Sequence, residues 1–192
     1  MYNYYEQVHK SKGVIPMPKI IENVRGLLID EAQRQIEENG YDNVTIRSIA
    51  RGCALGVGTF YNYFKSKDML IATFLLEDWQ ERMSRVNAVS EGVSDPMTVI
   101  ESIHNELAEF TKKHHSIFIS REARKTFNSS VGEKHGMLRA QVAAPIYRAC
   151  LAGGFENPEF LSEFAAEAVL NWTVEGKKLD ELSAIISKLF IK

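Results

Sequence analysis

Between Gly58 and Phe64 the sequence reads GTFYNYF, and its polar and aromatic groups sort themselves by helical spacing. Phe60 and Phe64 stand four residues apart, so on a helix they share one face and point together toward a core. Thr59, Asn62 and Tyr63 fall at spacings of three and four on another face, where they offer a hydroxyl, an amide and a phenol. Such groups donate and accept hydrogen bonds, and no activated nucleophile or glycine-rich phosphate loop accompanies them. Their chemistry is therefore recognition, and no enzymatic activity or cofactor is expected. Gly58 places no side chain beside them, which permits close approach to a sugar-phosphate backbone. A short helix that turns polar and aromatic groups outward gains little as packing alone.

Positioning that helix falls to its neighbours. An amphipathic helix runs from Lys19 through Ile21, Val24, Leu28, Ala32 and Ile36 and ends at Gly40, a residue suited to a left-handed terminus. Thr45 can cap a second helix that buries Ile46, Ile49 and Ala50 and closes near Cys53. Only Ala54, Leu55 and Gly56 separate it from the short helix Val57–Phe64. Two short helices joined by a three-residue turn form a helix-turn-helix, whose second member stands proud enough to enter a major groove. After Lys65, Ser66 can cap a fourth helix with Asp68 in its first turn. That helix carries Leu70, Ile71, Phe74, Leu75 and Trp79 onward to about Val86.

The run GTFYNYFKSKDML, preceded by TIRSIA, resembles the signature of the TetR family of one-component bacterial regulators, over roughly Ile20 to Phe74. Glycine, threonine, hydrophobe, tyrosine, aromatic, phenylalanine and the Lys-Ser-Lys-acid junction all fall at that signature's spacing. The resemblance implies that Thr45, Thr59, Tyr61 and Lys67 hold DNA phosphates, while Arg47, Asn62 and Tyr63 reach bases or backbone. Lys65 stands beside them at the mouth of the groove. Three positions depart from the family pattern. Ala54 replaces the usual turn glycine, Gly56 a serine-like cap, and Val57 a polar or basic residue; Val57 is positioned to touch a thymine methyl. The implied function is a sequence-specific transcriptional repressor that leaves its operator when a small ligand binds. A helical ligand- or partner-binding protein with weakened DNA affinity, as Gly56 and Val57 suggest, is the alternative.

Beyond Asp95-Pro96 the pattern stays helical. Ile100, Ile103, Leu107 and Phe110 form one stripe, and Ile117 to Phe127 reads as a short helix. After the glycine region 132–136, Leu138 to Leu151 reads as a helix kinked by Pro145 and ended by Gly153-Gly154. Two last helices, about Pro158 to Thr173 and Lys178 to Phe190, flank Glu175-Gly176. No stretch alternates as a strand, so the expected fold class is all-α: an N-terminal three-helix helix-turn-helix DNA-binding domain plus a larger C-terminal helical ligand and dimerisation domain. The expected units are an arm over 1–18, the helix-turn-helix domain over 19–65, and the effector-binding and dimerisation domain over 66–192. Trp79, His104, Phe118, Arg121, Phe127, Tyr147 and Trp172 are the expected lining of a ligand pocket. Few charges accompany them, which suits a largely apolar ligand with one polar anchor from His104, Arg121 or Arg124. Phe160, Phe164, Ala168, Leu170 and Trp172, with Leu182, Ile185, Ile186 and Leu189, offer an interface for a homodimer through the last two helices. A two-fold dimer reads an inverted-repeat operator in double-stranded DNA.

The charge balance narrows the partners further. Net charge over 192 residues is −2, so attraction to DNA must be local. Met1 to Leu75 carries +1 and the remainder −3, an asymmetry of the right sign but small. Cys53 and Cys150 are the only cysteines, too few for a disulfide framework or a thiolate metal cage. His104, His114 and His115 have no carboxylate at convincing ligand spacing, so no metal is expected. No apolar run approaches the roughly 20 residues of a membrane span. Met1 to Lys19 lacks a signal peptide's apolar core, and a cytoplasmic protein is expected.

Overall fold

The computed structural model describes residues 22–123 and 131–191, with side chains throughout except at 131–135. The arm over 1–18, the residues before Glu22 and the pocket candidate Phe127 lie outside the described residues. Among those described, every regular element is helical.

Helix α1 (Val24–Asn39) buries Leu28, Ile29, Ala32 and Ile36, the apolar stripe of its sequence. Gly40 ends it with φ +78° while its N–H reaches the Ile36 carbonyl at 2.9 Å. A 3₁₀ turn (Tyr41–Asn43) leads to α2 (Ile46–Gly52), then α3 (Val57–Tyr63) and the long α4 (Lys67–Ser90). Ser66 caps α4 by accepting the Met69 N–H at 3.1 Å. Helix α4 runs a full turn past Val86, where its apolar stripe stops, because no helix breaker follows until Gly92 at φ +74°. Asp95 accepts the N–H groups of Met97 and Thr98 and starts α5 (Pro96–Lys113), whose proline sits where its missing N–H costs nothing.

Three expected boundaries need correction. The helix expected over Ile117–Phe127 is interrupted at Ser120 (ψ 130°), between α6 (His115–Ile119) and a helical stretch at residues 121–123, beyond which 124–127 lie outside the described residues. The Ser120 hydroxyl then accepts the Ala123 N–H at 3.0 Å and donates to Asp42 at 2.5 Å, so capping chemistry outweighs the apolar pattern there. Helix α7 (Val131–Gly153) begins before Leu138 and contains Gly132, Gly136 and Pro145. A glycine inside a helix costs only about 1 kcal/mol against alanine and need not end it. Helices α8 (Pro158–Val174) and α9 (Leu179–Ile186) follow, and a 3₁₀ turn (Ser187–Phe190) finishes what had read as one helix.

The buried side chains form two clusters. The first joins Leu28, Ile36, Tyr41, Val44, Ile49, Phe60 and Phe64 with Leu70, Ile71 and Phe74 of α4, and also takes in Ile117 and Ala123. The second gathers Trp79, Met83 and Val86 of α4 around Ile100, Ile103, Val142, Ile146, Val169, Leu182 and Ile186. Helix α4 thus contributes its first half to one core and its second half to the other.

Between those halves sits Asp78, whose side chain is only 10% exposed. It accepts from His114 Nε2 at 2.8 Å, Lys113 Nζ at 3.1 Å and Arg82 Nε at 3.2 Å. Burial alone would raise this carboxyl, but those three hydrogen bonds outweigh it and hold it below the usual carboxylate range. Burial pushes His114 and His104 down, in His114 against the pull of Asp78. The hydrogen bond from Arg85 likewise lowers Glu106. These shifts share one sign. A depressed folded-state pKa means that the unfolded chain binds more protons, so stability is full above the unfolded values and lost as pH falls. Loss therefore begins as pH falls through the ordinary histidine value of 6.5 and continues as the carboxylates titrate. Melting temperature is expected to fall steadily from about pH 7.5 to about pH 5. A flat profile over that window contradicts the buried-neutral assignment of the two imidazoles.

Candidate nucleic-acid interface

Two local devices shape the helix pair. Thr45 accepts the Ser48 N–H at 3.0 Å while the Ser48 hydroxyl receives the Thr45 N–H at 3.0 Å, a reciprocal cap at the start of α2. At its other end the Leu55 N–H bonds the Ala50 carbonyl at 2.8 Å and the Ala54 N–H bonds that of Arg51 at 3.0 Å. That pairing is a Schellman motif, which places its C′ residue in the left-handed region. Here the residue is Ala54, at φ +55°. Glycine adopts that conformation without the Cβ penalty of an L-residue, so Ala54→Gly is expected to stabilise the protein by about 0.5–1 kcal/mol. Chemical denaturation checks this, and a destabilised variant contradicts it.

Phe60 and Phe64 are 0% and 3% exposed, with ring centroids 5.9 Å apart, and they key α3 into the first core. The opposite face follows from helix geometry. Gly58 and Asn62 lie at its centre, flanked by Tyr61 and Thr59. Tyr61 and Tyr63 are 53% and 46% exposed, Val57 is exposed, and Thr59 is half-buried. Gly56, at the head of α3, supplies no side-chain cap, and the Thr59 N–H turns back to its carbonyl at 2.9 Å. Arg47 on α2 and Lys65 after α3 are exposed. Val57, Gly58, Thr59, Tyr61, Asn62 and Tyr63, with Thr45, Arg47 and Lys65, are all presented by the helix pair and its flanks.

Lys67 stands apart from them. Its ammonium donates to the Tyr41 carbonyl at 3.3 Å, lies 4.1 Å from the centre of the Tyr41 ring and 3.7 Å from Glu122, with the side chain 15% exposed. It is engaged within the protein, beside the hydrogen bond from the Tyr41 hydroxyl to Asp68. Sequence reading had no means of finding Glu122 as its partner. Arg51, one helical turn beyond Arg47, is exposed like it and carries no signal in the sequence that sets it apart from other surface arginines. An open hollow of about 410 Å³ lies between these arginines and the turn, lined by Arg47, Ala50, Arg51, Ala54, Leu55 and Val57.

The expected pocket residues divide. Trp79 is buried, donates from its indole to Gln141 at 2.5 Å and meets Phe110 edge-on at 5.7 Å. His104 is buried 2.8 Å from the Thr173 hydroxyl, while Tyr147 and Trp172 are half-buried. These four sit on α4, α5, α7 and α8, which build the second core. Phe118 and Arg121 are exposed, and the Phe118 ring meets that of Phe110 at 5.9 Å. None of them lines the 410 Å³ hollow. Nor does any line the smaller void of about 10 Å³ between Ile36, Phe74, His114 and Ile117. Among the described residues no group of three histidine, cysteine or acidic side chains is placed to hold a metal.

A sequence profile described as bacterial regulatory proteins, tetR family, matches residues 28–73, the stretch that forms the first core and the helix pair. The HTH-type transcriptional regulator UidR of Escherichia coli (strain K12) is 30% identical over 79 residues, which span 41% of this chain and 40% of UidR. The HTH-type transcriptional regulator HbdR of Aromatoleum sp. (strain CIB) is 27% identical over 154 residues, 77% of this chain and 66% of HbdR. The chain thus matches less than two thirds of either relative. A TetR-family transcriptional regulator of known structure from Pectobacterium atrosepticum superposes with a TM-score of 0.59 at 18% identity, over 86% of this chain and 90% of that one.

Proposed function

Because this chain belongs to the tetR family of bacterial regulatory proteins, we propose that it is a DNA-binding transcriptional regulator that reads an operator through α3. The observation that carries this reading is the division of α3 itself. Phe60 and Phe64 are sealed in the core, while Gly58, Tyr61 and Asn62 are exposed among the described residues. Tyr61, Thr59 and Lys65 set the register on phosphates, with Thr45 at the head of α2. Asn62 and Tyr63 choose the sequence, while Arg47 lies where it reaches bases or backbone. Selection from random duplexes tests this, with enrichment of one inverted repeat as the expected result. No enrichment favours the second reading, a ligand- or partner-binding protein. The uncharged and uncapped α3 is the feature that supports that alternative.

Gly58 separates DNA contact from folding. A Cβ added there meets nothing within 4 Å, so Gly58→Ala is expected to leave the fold intact and raise helix stability by up to about 1 kcal/mol. The same methyl intrudes on the approaching backbone, and operator affinity is expected to fall about tenfold, roughly 1.4 kcal/mol. Unchanged affinity in this variant removes Gly58 from the contact surface.

The inverted repeat requires a dimer. Leu170, Leu182 and Ile186 are spent inside the protomer's own core, so the pairing face rests on the remaining apolar groups of the last two helices. Phe160 and Phe164 stack at 6.2 Å while exposed, and Val174 and Ile185 are exposed on the same pair of helices. The regulator is a cytoplasmic repressor by occupancy, in this reading, released when a small, largely apolar ligand enters the second core near Trp79, His104, Tyr147 and Trp172. Because α4 belongs to both cores, a shift of its second half moves the helix pair. The ligand must prefer one spacing of the two readers over the other to have that effect. Among the described residues no helix is long and apolar enough to cross a membrane.

A further inference from the structure

Helix α3 contains no lysine or arginine, although neutralisation of phosphates by cations supplies most of a duplex's attraction for a protein. Lys67 is held by Tyr41 and Glu122. Among the described residues, Lys65 and, on α2, Arg47 and Arg51 are cations near the reading face.

Arg47 and Arg51 stand four residues apart on one helix face, and both are exposed. Elsewhere Arg25 pairs with Glu77, Arg34 with Glu31 and Glu38, and Arg85 with Glu81 and Glu106. Among the described residues, neither the Arg47 nor the Arg51 side chain has a hydrogen-bond or ion-pair partner, though both lie on a chain with more acidic than basic residues. Both line the 410 Å³ hollow, whose remaining lining is Ala50, Ala54, Leu55 and Val57. Two cationic residues and four apolar ones therefore meet around it. It opens beside the first turn of α3, where the first helix of a helix-turn-helix crosses the DNA backbone.

We propose that this hollow seats one deoxyribose-phosphate of the bound duplex, with Arg47 and Arg51 on the phosphate and the sugar against the alanine, leucine and valine side chains. The inference rests on the DNA-reading proposal and deepens it. It makes Arg51 an anchor of affinity, through the planar fork that holds phosphate oxygens in pairs. Apolar contact with the sugar explains why a chain lacking a basic residue at position 57 keeps Val57 exposed there.

The test uses the full chain and the selected duplex, with a scrambled duplex of the same composition, across a salt series. Arg51→Gln is expected to lose about tenfold in affinity on both duplexes alike and to lower the logarithmic salt slope by about 1. Arg51→Lys is expected to keep the slope, because the charge remains, while recovering only part of the affinity. Arg34→Gln, away from the reading face, serves as the control for removing a surface arginine. Melting temperatures compared across the variants guard against a folding defect. Wild-type affinity and slope in Arg51→Gln overturn the proposal while leaving the regulator reading intact. So does a loss confined to the selected duplex with unchanged slope, which makes Arg51 a base reader. Failure of the wild-type chain to bind any duplex overturns the regulator reading itself, and the hollow loses its ligand with it.

Discussion

Replacing Phe60 with alanine is expected to cost about 3–5 kcal/mol of stability and to abolish DNA binding with it. Phe60 is fully buried, its ring lies 5.9 Å from that of Phe64 and 5.8 Å from that of Tyr61, and it belongs to the core formed by α1, α2 and α4. Seven-residue α3 cannot hold its shape by propensity, since isolated helices under about 12 residues are marginal in water. The ring is the main attachment of α3 to the rest of the domain. Typical domain stabilities are about 5–15 kcal/mol, so this one truncation can consume much of the margin. Tyr61→Ala is the paired control: Tyr61 is exposed, so its loss should move DNA affinity and leave the melting temperature nearly unchanged. A loss below about 1 kcal/mol in Phe60→Ala contradicts the anchoring role.

Asp78→Ala is expected to destabilise the protein by about 3 kcal/mol, the lower end for breaking a buried charge cluster. The substitution strips hydrogen bonds from Arg82, Lys113 and His114 at the point where α4 passes from one core to the other. Arg82 keeps Glu106 at 3.0 Å, which limits the damage. Lys113 is partly exposed and rehydrates, whereas buried His114 loses its acceptor outright. Asp78→Asn retains an oxygen for one donor and should recover part of the loss. Urea denaturation followed by tryptophan fluorescence is a fitting check, because Trp79 adjoins Asp78 in α4. Stability within about 0.5 kcal/mol of wild type contradicts a structural role for the cluster.

What the sequence revealed and what it hid divide along physical lines. Local signals were legible: Thr45 and Ser66 cap helices, Gly40 ends one, and the spacing of Phe60 and Phe64 assigns the buried face of α3. Ala54 was legible as a departure from the usual turn glycine, and its positive φ shows why glycine suits that position. Partners distant along the chain were hidden. Lys67 is expected on a DNA phosphate because nothing in KSKDM points to Glu122 or to the carbonyl of Tyr41. Asp78 went unnoticed because a single acid in an amphipathic helix looks the same whether it faces water or a histidine from another helix. The break at Ser120 was hidden for the same reason, its side chain being held by Asp42 from far upstream. Arg51 was hidden as well, because exposed arginines are ordinary until each is asked which acid it holds.

The leading claim is that the outward face of α3 and its flanks bind a specific duplex. Fluorescence anisotropy tests it most directly, with the selected inverted repeat and its scrambled counterpart titrated with wild type and Tyr61→Ala across a salt series. The account predicts tight, salt-sensitive binding to the inverted repeat, at least about a thousandfold stronger than to the scrambled duplex. It also predicts a marked loss in the tyrosine variant at unchanged melting temperature. Equal, weak binding of wild type to both duplexes, indifferent to Tyr61, would contradict it.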